Sequence, residues 1–211
     1  VQQAAMQAIQ RYGTGSGGAR LTSGSFPLFK ELEIAIANFK GTEQSLVFNT
    51  GYMANVGTIT ALMNKHSVII SDELNHASII DGCRLSGAHI ERYKHKDVEH
   101  AGYILKNYKS AYKMIITDGV FSMDGDIAPL DRLYELSKEY NALLMVDDAH
   151  ATGVIGNGRG TAHHFGLTDV DVQLGTLSKA LGSVGGYVAG RKELIEYLIN
   201  YSRSFIFSTA L

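Results

Sequence analysis

The chain has 211 residues, 45% of them hydrophobic and 19% charged, with a formal net charge of −2. That length suits one large domain or two small ones with a sizeable core. The charge balance speaks against a nucleic-acid surface, the single Cys83 excludes an intrachain disulfide or a cysteine zinc cage, and no apolar stretch approaches membrane-spanning length. One cysteine fits a reducing, cytoplasmic compartment.

Residues 1–12 read as a helix that breaks at Gly13-Thr14-Gly15-Ser16-Gly17-Gly18. Residues 29–39 read as an amphipathic helix, with Leu32, Ile36 and Phe39 at helical spacing. Short apolar runs at 45–48, 67–70, 113–117, 142–146 and 169–174 predict buried strands. Helical patterns at 53–63, 79–86, 98–108 and 130–140 lie between them. Strands alternating with helices predict an α/β fold, a mainly parallel sheet sandwiched by helices. Such a sheet places its ligand site at the carboxyl ends of the strands.

The residues just past each strand therefore matter most. The predicted strands run into Asn49-Thr50-Gly51-Tyr52, Asn75-His76, Asp118 to Ser122, Asp147-Asp148-Ala149-His150 and Gly175-Thr176-Leu177-Ser178-Lys179. Lys179 stands among small residues, where partial burial would favour the free amine of a nucleophile; a surface lysine is the plainer alternative. Asp147 emerges from the nearly all-apolar run 142–146, and a buried carboxylate needs a cation, such as a protonated ring nitrogen. Helix capping, or a divalent ion shared by Asp147, Asp148 and His150, stays open as an alternative, although no further carboxylates complete a metal shell. His76 and His150 could stack on a ring or donate to an oxygen, or merely cap helices. Ser122 is equally ambiguous. Thr50, Gly51 and Tyr52 at a helix start offer N–H groups to a phosphate, with hydroxyls from Thr176, Ser208 and Thr209 nearby or from a partner. The glycine run at 13–18 fits G-x-G-x-x-G, but a helix precedes it and no helix comes directly after it, so a dinucleotide site is disfavoured.

Several segments, in order, resemble one family. Thr176-Leu177-Ser178-Lys179-Ala180-Leu181-Gly182 is similar to the lysine signature of class II, fold-type I pyridoxal-phosphate enzymes. Asn75 to Gly82, Asp118 to Asp126, Val146 to His150, Gly156 to Gly160 and Phe207 to Thr209 narrow the resemblance to the α-oxoamine synthases, from about Arg11 to the end. The resemblance implies that residues 1–211 are the cofactor-binding large domain of a homodimeric acyltransferase. It implies pyridoxal 5'-phosphate on Lys179 as a Schiff base, with Asp147 on the pyridine nitrogen and His76 on the ring face. Ser122 and His150 would lie by the phenolic oxygen. Thr50, Gly51, Tyr52 and Thr176 would surround ring and phosphate, and Ser208 and Thr209 would reach the partner's phosphate. The implied substrates are an amino acid, alanine or glycine, and an acyl thioester. An aminotransferase of the same fold type would share Lys179 and Asp147 without needing the segments after His76 and Phe121. Phe29 stands where the family often carries His. Both ends read as cut, so the resemblance also predicts a missing amino-terminal segment and a missing carboxyl-terminal small domain.

Overall fold

The structure is a computed structural model that describes residues 1–108 and 112–211. Helix α1 (Gln2–Tyr12) and helix α2 (Pro27–Lys40) come first. Pro27 opens α2, where its missing N–H costs nothing, and Gly41 closes it in the left-handed conformation. The chain then alternates: β1 (Gln44–Phe48), α3 (Gly51–Leu62), β2 (Ser67–Asp72), α4 (Ala77–Ser86), β3 (His89–Tyr93), α5 (Val98–Leu105), β4 (Tyr112–Asp118), α6 (Leu130–Glu139) and β5 (Leu143–Asp147). A short helix α7 (Thr161–His164) precedes β6 (Val172–Thr176), β7 (Gly186–Gly190), α8 (Lys192–Tyr201) and α9 (Arg203–Ile206).

The described strands form one sheet in the order β1-β7-β6-β5-β4-β2-β3. β2, β3, β4, β5 and β6 pair in parallel, and β7 runs antiparallel to both of its neighbours, β1 and β6. The expected mainly parallel α/β sheet is therefore present. Successive side chains point to opposite faces. Ile69, Met114, Ile116 and Met145 pack with Ile59 of α3, Ile195 of α8 and Phe205 of α9 on one face. Val68, Ile70, Ile115 and Leu144 pack with Ile104 of α5 and Leu133 of α6 on the other. Under α2, a smaller cluster joins Ile36, Val47, Leu177, Tyr187 and Ala189, with Phe29 against it and the Arg20 guanidinium 4.1 Å above the Phe29 ring.

Two strands and three helices depart from the sequence reading, the short α7 among them, which holds His163 and His164 where the sequence suggests a surface loop. β3 lies at the sheet edge with a mostly polar, part-exposed sequence, so it shows no apolar run. β7 is fully buried, yet two of its five residues are glycine, which disguises a strand. α8 and α9 come after it unforeseen. The 169–174 run shifts to Val172–Thr176 because Asp169 is an exposed ion-pair partner of Lys138 and Arg191.

Candidate active site

Every parallel strand ends at the same edge, and there a chamber of about 220 Å³ opens. Its floor is set by strand register. Asp118 ends β4, Asp147 ends β5 and Thr176 ends β6; Asp118 and Asp147 are direct partners in the ladder. Lys179, His76, Ser122, His150, Thr50, Gly51 and Tyr52 line the same chamber. Nine of the eleven residues that the sequence points to thus meet in one place. Ser208 and Thr209 stand outside its lining; the Thr209 carbonyl accepts the Asn49 amide at 2.6 Å and its backbone bridges Ala19.

Asp147 is 3% exposed. One of its oxygens accepts Asn55 Nδ2 at 2.6 Å and the other accepts the Ala149 N–H at 2.9 Å. Among the described residues it has no ion-pair partner. Burial raises its pKa, and the donors from Asn55 and Ala149 pull it part of the way back. Such a carboxylate is under-compensated and receptive to a cation from outside the chain. Asp148, one residue on, faces the other way. Its carboxylate meets Lys40 Nζ at 2.7 Å with both side chains fully enclosed, and accepts the Thr161 N–H. That engagement removes Asp148 from the divalent-ion alternative, and no cluster of three ligating side chains occurs among the described residues.

Asp118 opens one of the family-like segments, but its sequence context suggests no role for it. It is 7% exposed and accepts the His76 N–H at 2.8 Å. Burial, with the Asp147 charge beside it, pushes its carboxyl up to about 8. His150 shifts oppositely: burial, then the Lys179 charge, lowers its pKa, so it enters the chamber as a neutral ring at pH 7.

Lys179 lies on the loop joining β6 to β7. Leu177 N–H to the Gly185 carbonyl (2.9 Å) and Ser183 N–H to the Leu177 carbonyl (2.8 Å) tie the loop's two ends together. Lys179 is exposed, not partly buried as its small neighbours suggest, yet it lines the chamber and is near enough to Asp118, Asp147 and His150 to bias each of them.

The start of α3 forms another wall. Thr50 caps the helix, its Oγ1 accepting the Met53 N–H at 3.0 Å, which leaves the first N–H groups directed outward. Gly51 lies against Thr176, where a Cβ would come within 3.4 Å. The Thr176 hydroxyl bonds Ser178 Oγ at 2.7 Å and the Gly185 carbonyl at 2.8 Å. Tyr52 donates to Asp81 at 2.8 Å, and that carboxylate raises its pKa. His76 caps α4, so the capping alternative and the chamber-lining role hold together. Asn55, Ser78, Asp118, Ala149 and Ser178 also line the chamber, and sequence reasoning misses them. Asn55 and Ser78 sit within helix sequence, where only the three-dimensional fold reveals them.

The residues fit an aromatic, cationic, phosphate-bearing cofactor: an under-compensated carboxylate, a lysine, and a helix N-terminus share one chamber. This combination at the carboxyl edge of a mainly parallel sheet defines the large domain of the fold-type I class. The family profile of class I and II aminotransferases matches residues 1–211. The chain belongs to that family, and within it to the α-oxoamine synthases. It is 56% identical over 214 residues to the 8-amino-7-oxononanoate synthase of Geobacter sulfurreducens, covering all of this chain and 55% of the relative. A solved serine palmitoyltransferase from S. paucimobilis with a bound pyridoxal-phosphate–myriocin aldimine is 38% identical, with a TM-score of 0.96 over all of this chain and 54% of that one. The 8-amino-7-oxononanoate synthase of Francisella tularensis is 33% identical, with a TM-score of 0.84 over all of this chain and 59% of that one. The chain spans about half the length of these relatives.

Proposed function

We propose that this chain is the cofactor-binding large domain of a pyridoxal-phosphate-dependent acyltransferase of the 8-amino-7-oxononanoate synthase kind. It joins L-alanine to a pimeloyl thioester, on coenzyme A or a carrier protein, with loss of carbon dioxide, a step of biotin biosynthesis. The observation that carries the reading is the buried, cation-receptive Asp147 in one chamber with Lys179. The identity of 56% along the whole chain favours this synthase over the serine palmitoyltransferases, at 38%.

When bound, pyridoxal phosphate supplies an electron sink for the carbanion formed at the amino-acid Cα. The chain's own residues do the rest. Asp147 holds the ring nitrogen's positive charge. The N–H groups at the start of α3, with the Thr176 and Ser178 hydroxyls beside them, take up phosphate charge. His76 covers one ring face, and Ser122 and neutral His150 present polar groups to the phenolic oxygen. Lys179 would anchor the cofactor, and its amine would take the amino-acid Cα proton as general base. Ser208 and Thr209, outside their own chamber, serve the phosphate of a second copy in a homodimer that works in the cytoplasm.

Mixing the protein with pyridoxal phosphate should give a visible absorbance band, and borohydride should fix the pyridoxyl group to Lys179. Lys179→Ala should retain cofactor only non-covalently, with no borohydride-fixed product. Thiol release should then be measured on the full-length parent. Release with L-alanine and pimeloyl thioester is expected. Release only with glycine and acetyl thioester would reassign it as a glycine C-acetyltransferase. Cofactor binding with amino transfer and no thiol release would make it an aminotransferase.

A further inference from the structure

Within the chamber wall, a chain of hydrogen bonds runs from Asp147 to His76. Asn55 Nδ2 donates to Asp147 Oδ2 at 2.6 Å and to Ser78 Oγ at 2.9 Å. Ser78 Oγ lies 2.7 Å from His76 Nδ1, and the Ser78 N–H donates to the same nitrogen at 3.2 Å. Asn55 and Ser78 are each 1% exposed.

The donors can be assigned by elimination. Nδ1 already accepts the Ser78 N–H, so a proton on Nδ1 would point at another donor. The Ser78 oxygen accepts from Asn55, which leaves its hydroxyl hydrogen free to point at Nδ1. Asn55 turns its amino group inward, with Nδ2 donating to Asp147 Oδ2 and to Ser78 Oγ. Its carbonyl is buried without a partner, a cost that the two bonds from Nδ2 offset. The ring proton of His76 therefore sits on Nε2.

We infer that Ser78 and Asn55 are positioning residues that carry the Asp147 hydrogen bond across to His76 and lock His76 as the Nε2–H tautomer. The chamber then receives a hydrogen-bond donor from that ring and no basic nitrogen. The significance of the lock rests on the function proposed above, but the lock itself is a property of the chain with or without cofactor.

The test is long-range proton–nitrogen correlation NMR on 15N-labelled protein, cofactor-free and then loaded with pyridoxal phosphate, with His76→Gln supplying the assignment. In the wild type, the Nε2–H form should exceed the Nδ1–H form by about tenfold or more, because two donors meet one nitrogen. Ser78→Ala should lower that ratio to about threefold, since only the backbone donor remains. Ser78→Thr should restore it. Asn55→Ala should shift the ratio in the same direction as Ser78→Ala, although Asn55 does not touch His76; Asn55→Gln provides a second variant should the smaller side chain disturb folding. A wild-type His76 carrying its proton on Nδ1 would overturn the inference. So would Asn55 variants that leave the His76 nitrogens unmoved while Ser78→Ala shifts them. Failure to bind pyridoxal phosphate would instead defeat the proposed function, and the cofactor-free spectrum would still decide the lock.

Discussion

Substituting Lys40 by Met should cost this protein much of its stability. Lys40 Nζ lies 2.7 Å from Asp148, both side chains are 0% exposed, and the same amine donates to the Arg159 carbonyl. Methionine keeps the volume of the lysine stem but removes the charge. Asp148 would then remain fully enclosed, with only the Thr161 N–H as donor. Breaking a buried pair by removing one partner costs about 3–5 kcal/mol, mostly the penalty of the charge left behind. With a urea m-value of about 2 kcal/mol per molar, the unfolding midpoint should fall by roughly 1.5–2.5 M. The double variant Lys40→Met with Asp148→Asn removes the stranded charge and keeps an acceptor for Thr161. It should recover at least half of the loss. Urea titrations of the wild type, single and double variants at pH 7.5 decide the matter. A single-variant loss under about 1 kcal/mol, or a double variant no more stable than the single, would refute the reasoning.

Asp118→Asn should stabilise the cofactor-free protein at pH 8 and do little at pH 4. A carboxyl whose pKa rises on folding, here to about 8, favours the folded state at low pH and loses that contribution as pH climbs toward the folded value. Urea midpoints across that range should show the gain growing with pH, and a constant gain would count against it. Gly186→Ala should push the start of α3 away from β7, since its Cβ would come within 2.6 Å of both Gly51 N and Thr50 O. We expect a loss of about 1–3 kcal/mol and at least tenfold weaker pyridoxal-phosphate binding by absorbance titration, whereas Gly15→Ala, with open space around it, should change neither.

Much of the site was legible because its residues come after apolar runs. Asp147 ends a buried strand, Lys179, His76, Ser122 and the turn 50–52 each lie just past one, and strand ends in such a sheet converge. Elements whose burial does not show as an apolar run escaped: β3 is a polar edge strand, and β7 hides behind its glycines. The expected helix at 53–63 begins two residues earlier, because the Thr50 cap draws Gly51 and Tyr52 into its first turn. Asn55 and Ser78 were illegible for another reason. They sit inside helices, and their partners are 92 and 23 residues away in sequence. Asp118 stood in view at the end of β4, but only the neighbouring carboxylate makes it unusual.

Strand β1 lies at the sheet edge, and among the described residues its one strand partner is β7, with Gln44 opposite Gly190. The whole chain from Asn49 to Gly185 must therefore leave the ribosome before the first strand can join the sheet. Until then the Asn49 to Gly51 turn lacks its strand-side anchor, although Asn55 already ties the body of α3 to Asp147 and Ser78. A nascent polypeptide halted before Gly186 should consequently carry β1 unpaired beside the parallel strands. The first strand is thus expected to be among the last to join the sheet, once β7 has slid into place beside β6.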